Sequence, residues 1–367
     1  MQKYGVEVGI FMRLSTPVRR TFGVVAAAGI LALLAAGCGS SNAGSSPKSG
    51  SAPVTLTLGY LTNITHAPAL VGIKEGFFTK NLPKNVTLNL KPFPTGTEEA
   101  EALLAGQLDA AYVGPNPTLK AWQESGGKLI RVISGAASGG AELVVKKGIT
   151  TASQLKGQKI ATPSLGNTQD VALRYWLKQH GLTTTTTGGG DVPVTPTQTN
   201  SDGVLEFEAG QIAGAWYPAP YDAEMVAAGG HVLVNEASLW PMGQFVTTNL
   251  VVTQSFLAAN PTVVSDLLKG QIASVNFINH DKTAAEAAAN AELAAVTGGK
   301  DLKPNILAAA FQQVTFTNDP VESSLATDAA HAEAVGLLTP VKDISALYDL
   351  GPLNALLKAD GQQQVMG

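Results

Sequence analysis

Apolar and polar positions alternate most clearly just after residue 53, where short runs of period two are separated by stretches of helical period. Val54-Thr55-Leu56-Thr57-Leu58-Gly59-Tyr60 alternates and is rich in β-branched residues, which predicts a strand. Residues 66–78 carry the pattern of a helix, 86–90 of a second strand, 97–105 of a second helix and 109–113 of a third strand. Each predicted strand runs into a loop containing Gly, Pro or Asn. Such alternation predicts an α/β fold with largely parallel sheets, and in open sheets of that kind ligands sit at the carboxyl ends of the strands. After Thr253 the pattern turns helical: Pro261 follows Asn260 at a helix start, an amphipathic run reaches Phe277, and an Ala-rich helix spans 283–296. The Thr run 183–187 with Gly188-Gly189-Gly190 reads as a surface loop.

An internal echo at an offset of 104 residues suggests two similar lobes. Ala105-Gly106-Gln107-Leu108-Asp109-Ala110-Ala111-Tyr112 is matched by Ala209-Gly210-Gln211-Ile212-Ala213-Gly214-Ala215-Trp216, each a helix end, a Gly cap, a short strand and a terminal aromatic. On this reading Gly114-Pro115-Asn116-Pro117 faces Tyr217-Pro218-Ala219-Pro220 across a cleft. The apolar runs 141–145 and 248–252 are read as the two crossings between lobes, a hinge of the kind that closes around a ligand. The expected boundaries are 54–142 for the first part of lobe one, 143–249 for lobe two, and 250–367 for the mainly helical return to lobe one. About 310 residues of folded chain exceed what one core usually holds, in keeping with two lobes.

The first residues change the picture. Arg13, Arg19 and Arg20 flank an apolar run over 22–36, too short for a spanning helix, and Cys38 follows Gly37. That order is a secretory signal over 1–37. Residues 39–53 are Gly, Ser, Ala, Asn and Pro with one Lys, so 38–53 is read as a flexible tether. Cys38 is the only cysteine of the 367 residues, which excludes an internal disulfide and a Cys-ligated metal site. Without 1–37 the chain keeps 20 basic and 27 acidic residues, so nucleic acid is not an expected partner. The five histidines are scattered without ligand spacing and no nucleophile motif occurs, so neither enzyme, metal nor cofactor is expected.

Leu34-Ala35-Ala36-Gly37-Cys38 resembles a bacterial lipobox, with Ala35 where Leu is common, which implies lipid on Cys38 and a hold on the membrane surface. The folded part resembles the periplasmic binding proteins of nitrate, sulfonate and taurine importers. The similarity rests on Leu58-Gly59-Tyr60, Glu75-Gly76-Phe77-Phe78, the run from Leu104 to Ala111, and Leu155-Lys156-Gly157-Gln158-Lys159-Ile160-Ala161, in that order. It implies a two-lobed solute-binding protein, monomeric and extracytoplasmic, that delivers a small organic anion to ABC permease subunits. Ala213 departs from the family's usual Asp. The yeast pyrimidine-synthase relatives carry a Cys-rich motif that is absent here. Among ligands an aliphatic sulfonate or taurine leads, with nitrate, aromatic carboxylates, pyrimidine precursors and a sensory role left open.

Four segments are expected to line the cleft: Asn63, Thr65 and His66 after the first strand; Gly114 and Asn116 after the third; Gly166, Asn167 and Thr168 at a helix start; and the aromatic pair Trp216 and Tyr217. A helix N-terminus offers unpaired N–H groups and a partial positive charge, and no Arg or Lys lies in these loops. That combination favours a sulfonate held by neutral donors. His66 is weighed as a cap or as a donor, stronger as a cation below pH ~6.5. Asp170 either opposes an ammonium group or satisfies its helix dipole, and Trp240 and Phe245 either cover the cleft or belong to the core.

Overall fold

The computed structural model describes residues 52–299, 301–341 and 343–366. The signal segment, Cys38 and nearly all of the tether lie outside the described residues. In chain order the elements run β1 (Val54–Leu61), a 3-10 turn (Ile64–His66), α1 (Ala67–Lys74), α2 (Phe77–Asn81), β2 (Val86–Phe93), α3 (Gly96–Leu104), β3 (Ala110–Val113), α4 (Pro115–Glu124) and β4 (Ile130–Gly139). There follow β5 (Ala141–Val145), β6 (Ile160–Thr162), α5 (Thr168–Gln179), β7 (Val194–Pro196), α6 (Asn200–Glu208), β8 (Gly214–Pro218), α7 (Tyr221–Ala227), β9 (His231–Asn235) and β10 (Val246–Thr253). The last third holds α8 (Gln254–Ala259), α9 (Pro261–His280), α10 (Lys282–Thr297), α11 (Pro304–Gln312), β11 (Val314–Phe316), α12 (Glu322–Ala334) and α13 (Gly351–Ala359).

Two sheets form. One has the order β11-β4-β10-β3-β1-β2, the other β7-β6-β8-β5-β9. In both, three parallel strands (β2-β1-β3 and β7-β6-β8) are followed by strands in antiparallel pairing, β10-β4-β11 in the first sheet and β5-β9 in the second. The echoed segments therefore become β3 and β8, which hold the same place in their sheets. Period-two alternation feeds two cores per sheet. From β1 and β10, Leu56, Leu58, Leu250 and Val252 pack under Val264 and Leu267 of α9, while Ala111, Val113 and Val251 face Leu119 of α4 and Leu325 of α12.

The expected helix over 66–78 is broken. Gly76 sits at φ +70° and divides α1 from α2, a conformation that a residue with a Cβ rarely adopts. The chain passes between sheets at Gly139-Gly140, both at positive φ, and returns just after Phe245. The two passages are bonded side by side. Gly139 N–H donates to the Phe245 carbonyl at 3.1 Å, Phe245 N–H donates to Ser138 Oγ at 3.2 Å, and Thr247 Oγ1 donates to the Gly139 carbonyl. The sheet-to-sheet change thus falls one to four residues before the expected boundaries at 142 and 249.

Of the late helices, α9 and α10 cover the first sheet, while α12 also reaches α5 beside the second. Among the described residues no helix is long and apolar enough to cross a membrane. At Gly135 in β4 the backbone runs against the Asp319 carbonyl ahead of α12, leaving no room for a Cβ. Gly135→Ala is expected to lower unfolding stability by about 1 to 3 kcal/mol, read from the urea midpoint.

Candidate functional site

Four helix starts converge between the sheets. Leu61, Asn63, Thr65 and His66 come from the turn after β1, Gly96 from the start of α3, Gly114 and Pro117 from α4, and Asn167, Thr168 and Gln169 from α5; Pro218 and Thr247 complete the wall. Each of these helices follows the carboxyl end of a parallel strand, which is why their first turns meet. The enclosed space is about 20 Å³, room for one water and far below the ~300 Å³ of a typical small-molecule site. An organic anion therefore enters only when the lobes part or the walls give.

Direct contacts hold the halves together around this space. Asn116 Nδ2 donates to the Gly166 carbonyl at 2.5 Å, Thr97 Oγ1 and Ser164 Oγ lie 2.8 Å apart, and Ile64 N–H donates to the Ala219 carbonyl at 2.9 Å. Tyr221 OH donates to the Thr62 carbonyl at 2.7 Å.

The start of α5 is the most elaborated. Asn167 caps it, its Oδ1 accepting from Asp170 N–H at 2.9 Å, and the N–H groups of Thr168 and Gln169 are left without an intrahelical acceptor. Asp170 faces away from the cavity, accepting from Gly166 N–H at 2.7 Å and from Arg174 Nε at 2.8 Å. That commits it to bracing the loop and leaves it unable to oppose a ligand's ammonium group. Its carboxyl still lies above the ordinary range, since loss of water outweighs the Arg174 partner. Arg174, almost wholly buried, is spent on Asp170 and the Thr185 carbonyl. No lysine or arginine is among the residues lining the cavity.

His66 is neutral. Leu61 N–H donates to its Nδ1 at 3.1 Å, so the ring proton sits on Nε2, and burial lowers its pKa to about 3. Of the two forms weighed for this ring, burial favours the neutral donor over the cation.

Of the expected residues, Asn63, Thr65, His66, Gly114, Asn167 and Thr168 line one space; Asn116 and Gly166 stand behind it, bonded to each other. Trp216 and Tyr217 do not reach it. As neighbours on β8 they point to opposite faces, both covered by helices. Trp216 donates from Nε1 to Glu236 at 2.7 Å in one core, and Tyr217 OH meets Thr197 Oγ1 at 2.7 Å in the other. Phe245 is likewise core, stacked by Trp240 at 5.6 Å. Pro117 and Pro218 lie in the two segments read as facing each other across the cleft, whereas Leu61, Gly96 and Thr247 were not expected. Thr95-Gly96 after β2 carried the same strand-end signal as Gly114, and Pro218 follows Tyr217 directly.

Two α/β lobes of one topology, joined by paired crossings and enclosing a space ringed by helix starts, define the periplasmic-binding-protein-like fold. Within it the chain belongs to the NMT1-like family, which matches residues 49–293. It is 25% identical over 219 residues to the taurine-binding periplasmic protein of Escherichia coli, covering 60% of this chain and 65% of that one. Its fold is similar to that of the alkanesulfonate-binding protein SsuA of Xanthomonas axonopodis bound to MOPS, at TM-score 0.64 and 19% identity over 79% of this chain and 96% of that one. It is also similar to the nitrate-binding protein NrtA of Synechocystis, at TM-score 0.68 and 14% identity over 84% of this chain and 89% of that one. The chain covers 58 to 65% of the length of the curated relatives it matches.

The neutral ring at position 66 gives a prediction. Below the unfolded value near 6.5 the unfolded chain takes up a proton that the folded chain refuses, so this contribution is complete above pH 6.5 and is lost as pH falls toward 3. Glu236, pushed up to about 8 by burial, works the other way, its contribution present at low pH and lost as pH rises toward 8. The difference between wild type and His66→Asn isolates the histidine. It is expected to change by about 1.4 kcal/mol per pH unit between pH 6 and 4, measured by chemical unfolding at each pH.

Proposed function

We propose that this protein is an extracytoplasmic solute-binding protein that captures a small organic anion, of the aliphatic sulfonate or taurine class, and presents it to an ABC permease. The observation that carries this reading is the meeting of helix starts at one small enclosed space with no lysine or arginine in its lining. The N–H groups of Thr168 and Gln169, the N–H of Thr65, the Thr168 hydroxyl and His66 Nε2–H are all neutral donors, and helix dipoles add partial positive charge. A sulfonate spreads one negative charge over three oxygens and suits such a set; a phosphate usually recruits Arg or Lys. Similarity to taurine-, sulfonate- and nitrate-binding proteins supports the same class. Lipid on Cys38 would keep the protein at the membrane surface beside its permease, as a monomer.

The contacts between the halves describe a closed form with room for one water, so binding needs the hinge to part and then close onto the anion with the walls spread to hold it. Gly114 sets the tightness of that closure. A Cβ there would lie 2.5 Å from Thr168 Oγ1 across the gap, while the backbone at φ −72°, ψ 165° accepts a β-branched residue. Thermal-shift measurement against taurine, ethanesulfonate, nitrate and benzoate tests the reading. A sulfonate at ~100 times its dissociation constant is expected to add about 2.7 kcal/mol of apparent stability. Gly114→Val is expected to weaken that ligand by about tenfold or more and leave the ligand-free melting point nearly unchanged. A shift with nitrate or benzoate alone overturns the ligand class, and undiminished affinity in Gly114→Val moves the site elsewhere.

A further inference from the structure

A second cavity lies on the flank of the molecule, sharing no lining residue with the first. It encloses about 320 Å³, within the range of small-molecule sites. Its walls come from three separate segments: Tyr175 and Trp176 of α5, Glu236 and Trp240 after β9, and Asp328 and His331 of α12. The aromatic rings are locked by one another. Tyr175 stacks on His331 with centroids 3.6 Å apart, Trp240 lies 5.4 Å from the same ring, and Trp176 packs edge-on against Trp216 at 6.3 Å.

Two acidic residues, Asp328 and Glu236, are among those lining this aromatic box, with their carboxyl groups buried in its wall. Asp328 is 7% exposed and its Oδ2 has no hydrogen-bond partner. Glu236 is 1% exposed and uses Oε2 to accept from Trp216. No lysine or arginine lines the cavity; the other titratable groups there are Tyr175, His180 and His331. A buried carboxyl without a partner is expensive, and stacked aromatic faces attract positive charge. A cation with an apolar body would resolve both at once.

We propose that this flank cavity is a second ligand site, taking a small organic cation, an ammonium group on an aromatic or aliphatic body, with Asp328 and Glu236 as its counter-charges and Trp240, Trp176 and Tyr175 as its walls. Glu236 and α5 belong with the second sheet, while α12 packs through Leu325 and Ala329 on the first. The bound cation would therefore bridge the halves and favour their closed arrangement. Burial pushes both carboxyls up, Glu236 to about 8, and keeps His331 below its ordinary range. Arrival of a cation would draw the acid pair to its charged form and release protons.

The test uses the full chain and three probes of one shape: 2-phenylethylammonium, neutral 2-phenylethanol and 3-phenylpropionate, with no sulfonate present. Saturable quenching of tryptophan fluorescence by the ammonium probe alone is expected, with proton release seen as calorimetric heats that depend on the buffer. Asp328→Asn, nearly the same size, is expected to weaken the probe by about tenfold or more, and Asp328→Glu to recover part of it. Affinity of Asp328→Asn for a sulfonate in the central cleft is expected to match wild type, which separates this site from the first. Absence of saturable quenching, equal quenching by 2-phenylethanol, or undiminished binding in a folded Asp328→Asn overturns the proposal.

Discussion

The structure depends on backbone N–H groups that a helix cannot satisfy within itself. The first turn of every helix leaves donors over, and solvent usually takes them. Here parallel strands of two sheets deliver the first turns after β1, β2, β3 and β6 to one enclosed space, where water is scarce. Donors in such a place need an acceptor with charge to spare. The surrounding arrangement serves that need: Asp170 and Arg174 hold the loop before α5, Asn167 caps it, and Gly114 lets the opposite wall approach Thr168.

The neutral recognition proposed above would have a physical consequence for release. An arginine paired with a ligand in a dry site would bind strongly and let go slowly, whereas dipoles and single hydrogen bonds weaken as soon as the lobes separate and water returns. Paired crossings at Gly139-Gly140 and Phe245 allow that separation without breaking either sheet, because each lobe keeps its own strands. Opening exposes to water the hydrogen bonds between the halves, Asn116 to Gly166 and Tyr221 to Thr62 among them. It must also part apolar and stacking contacts of α5 with α4 and α12, such as Val171 with Leu119 and Tyr175 with His331. Closure is thus poised to depend on what fills the cavity.

The fold and the helix starts that ring the candidate cavity were legible because their signals are local. A strand end followed by Gly-Pro-Asn or Gly-Asn-Thr predicts a helix start in place, and Gly114, Asn167 and Thr168 stand where that logic put them. What failed depends on neighbours distant in sequence. Trp216 and Tyr217 were expected at the mouth since an aromatic pair ends a strand, yet a strand sends adjacent residues to opposite faces, and here helices cover both. The protonation of His66 is set by its complete burial in the folded chain, which the residues around position 66 do not report in the sequence. The flank cavity is the extreme case. Trp176, Glu236 and Asp328 lie far apart in the sequence, and only the fold brings their three segments together.

The amide signals of the helix starts report most directly on whether neutral donors hold the anion. In ¹⁵N–¹H spectra titrated with ethanesulfonate, the N–H resonances of Thr168, Gln169 and Thr65 are expected to move downfield together and saturate at one dissociation constant, while the Arg174 side-chain signal stays in place. Amide signals that remain still while arginine or lysine side chains respond would contradict the account.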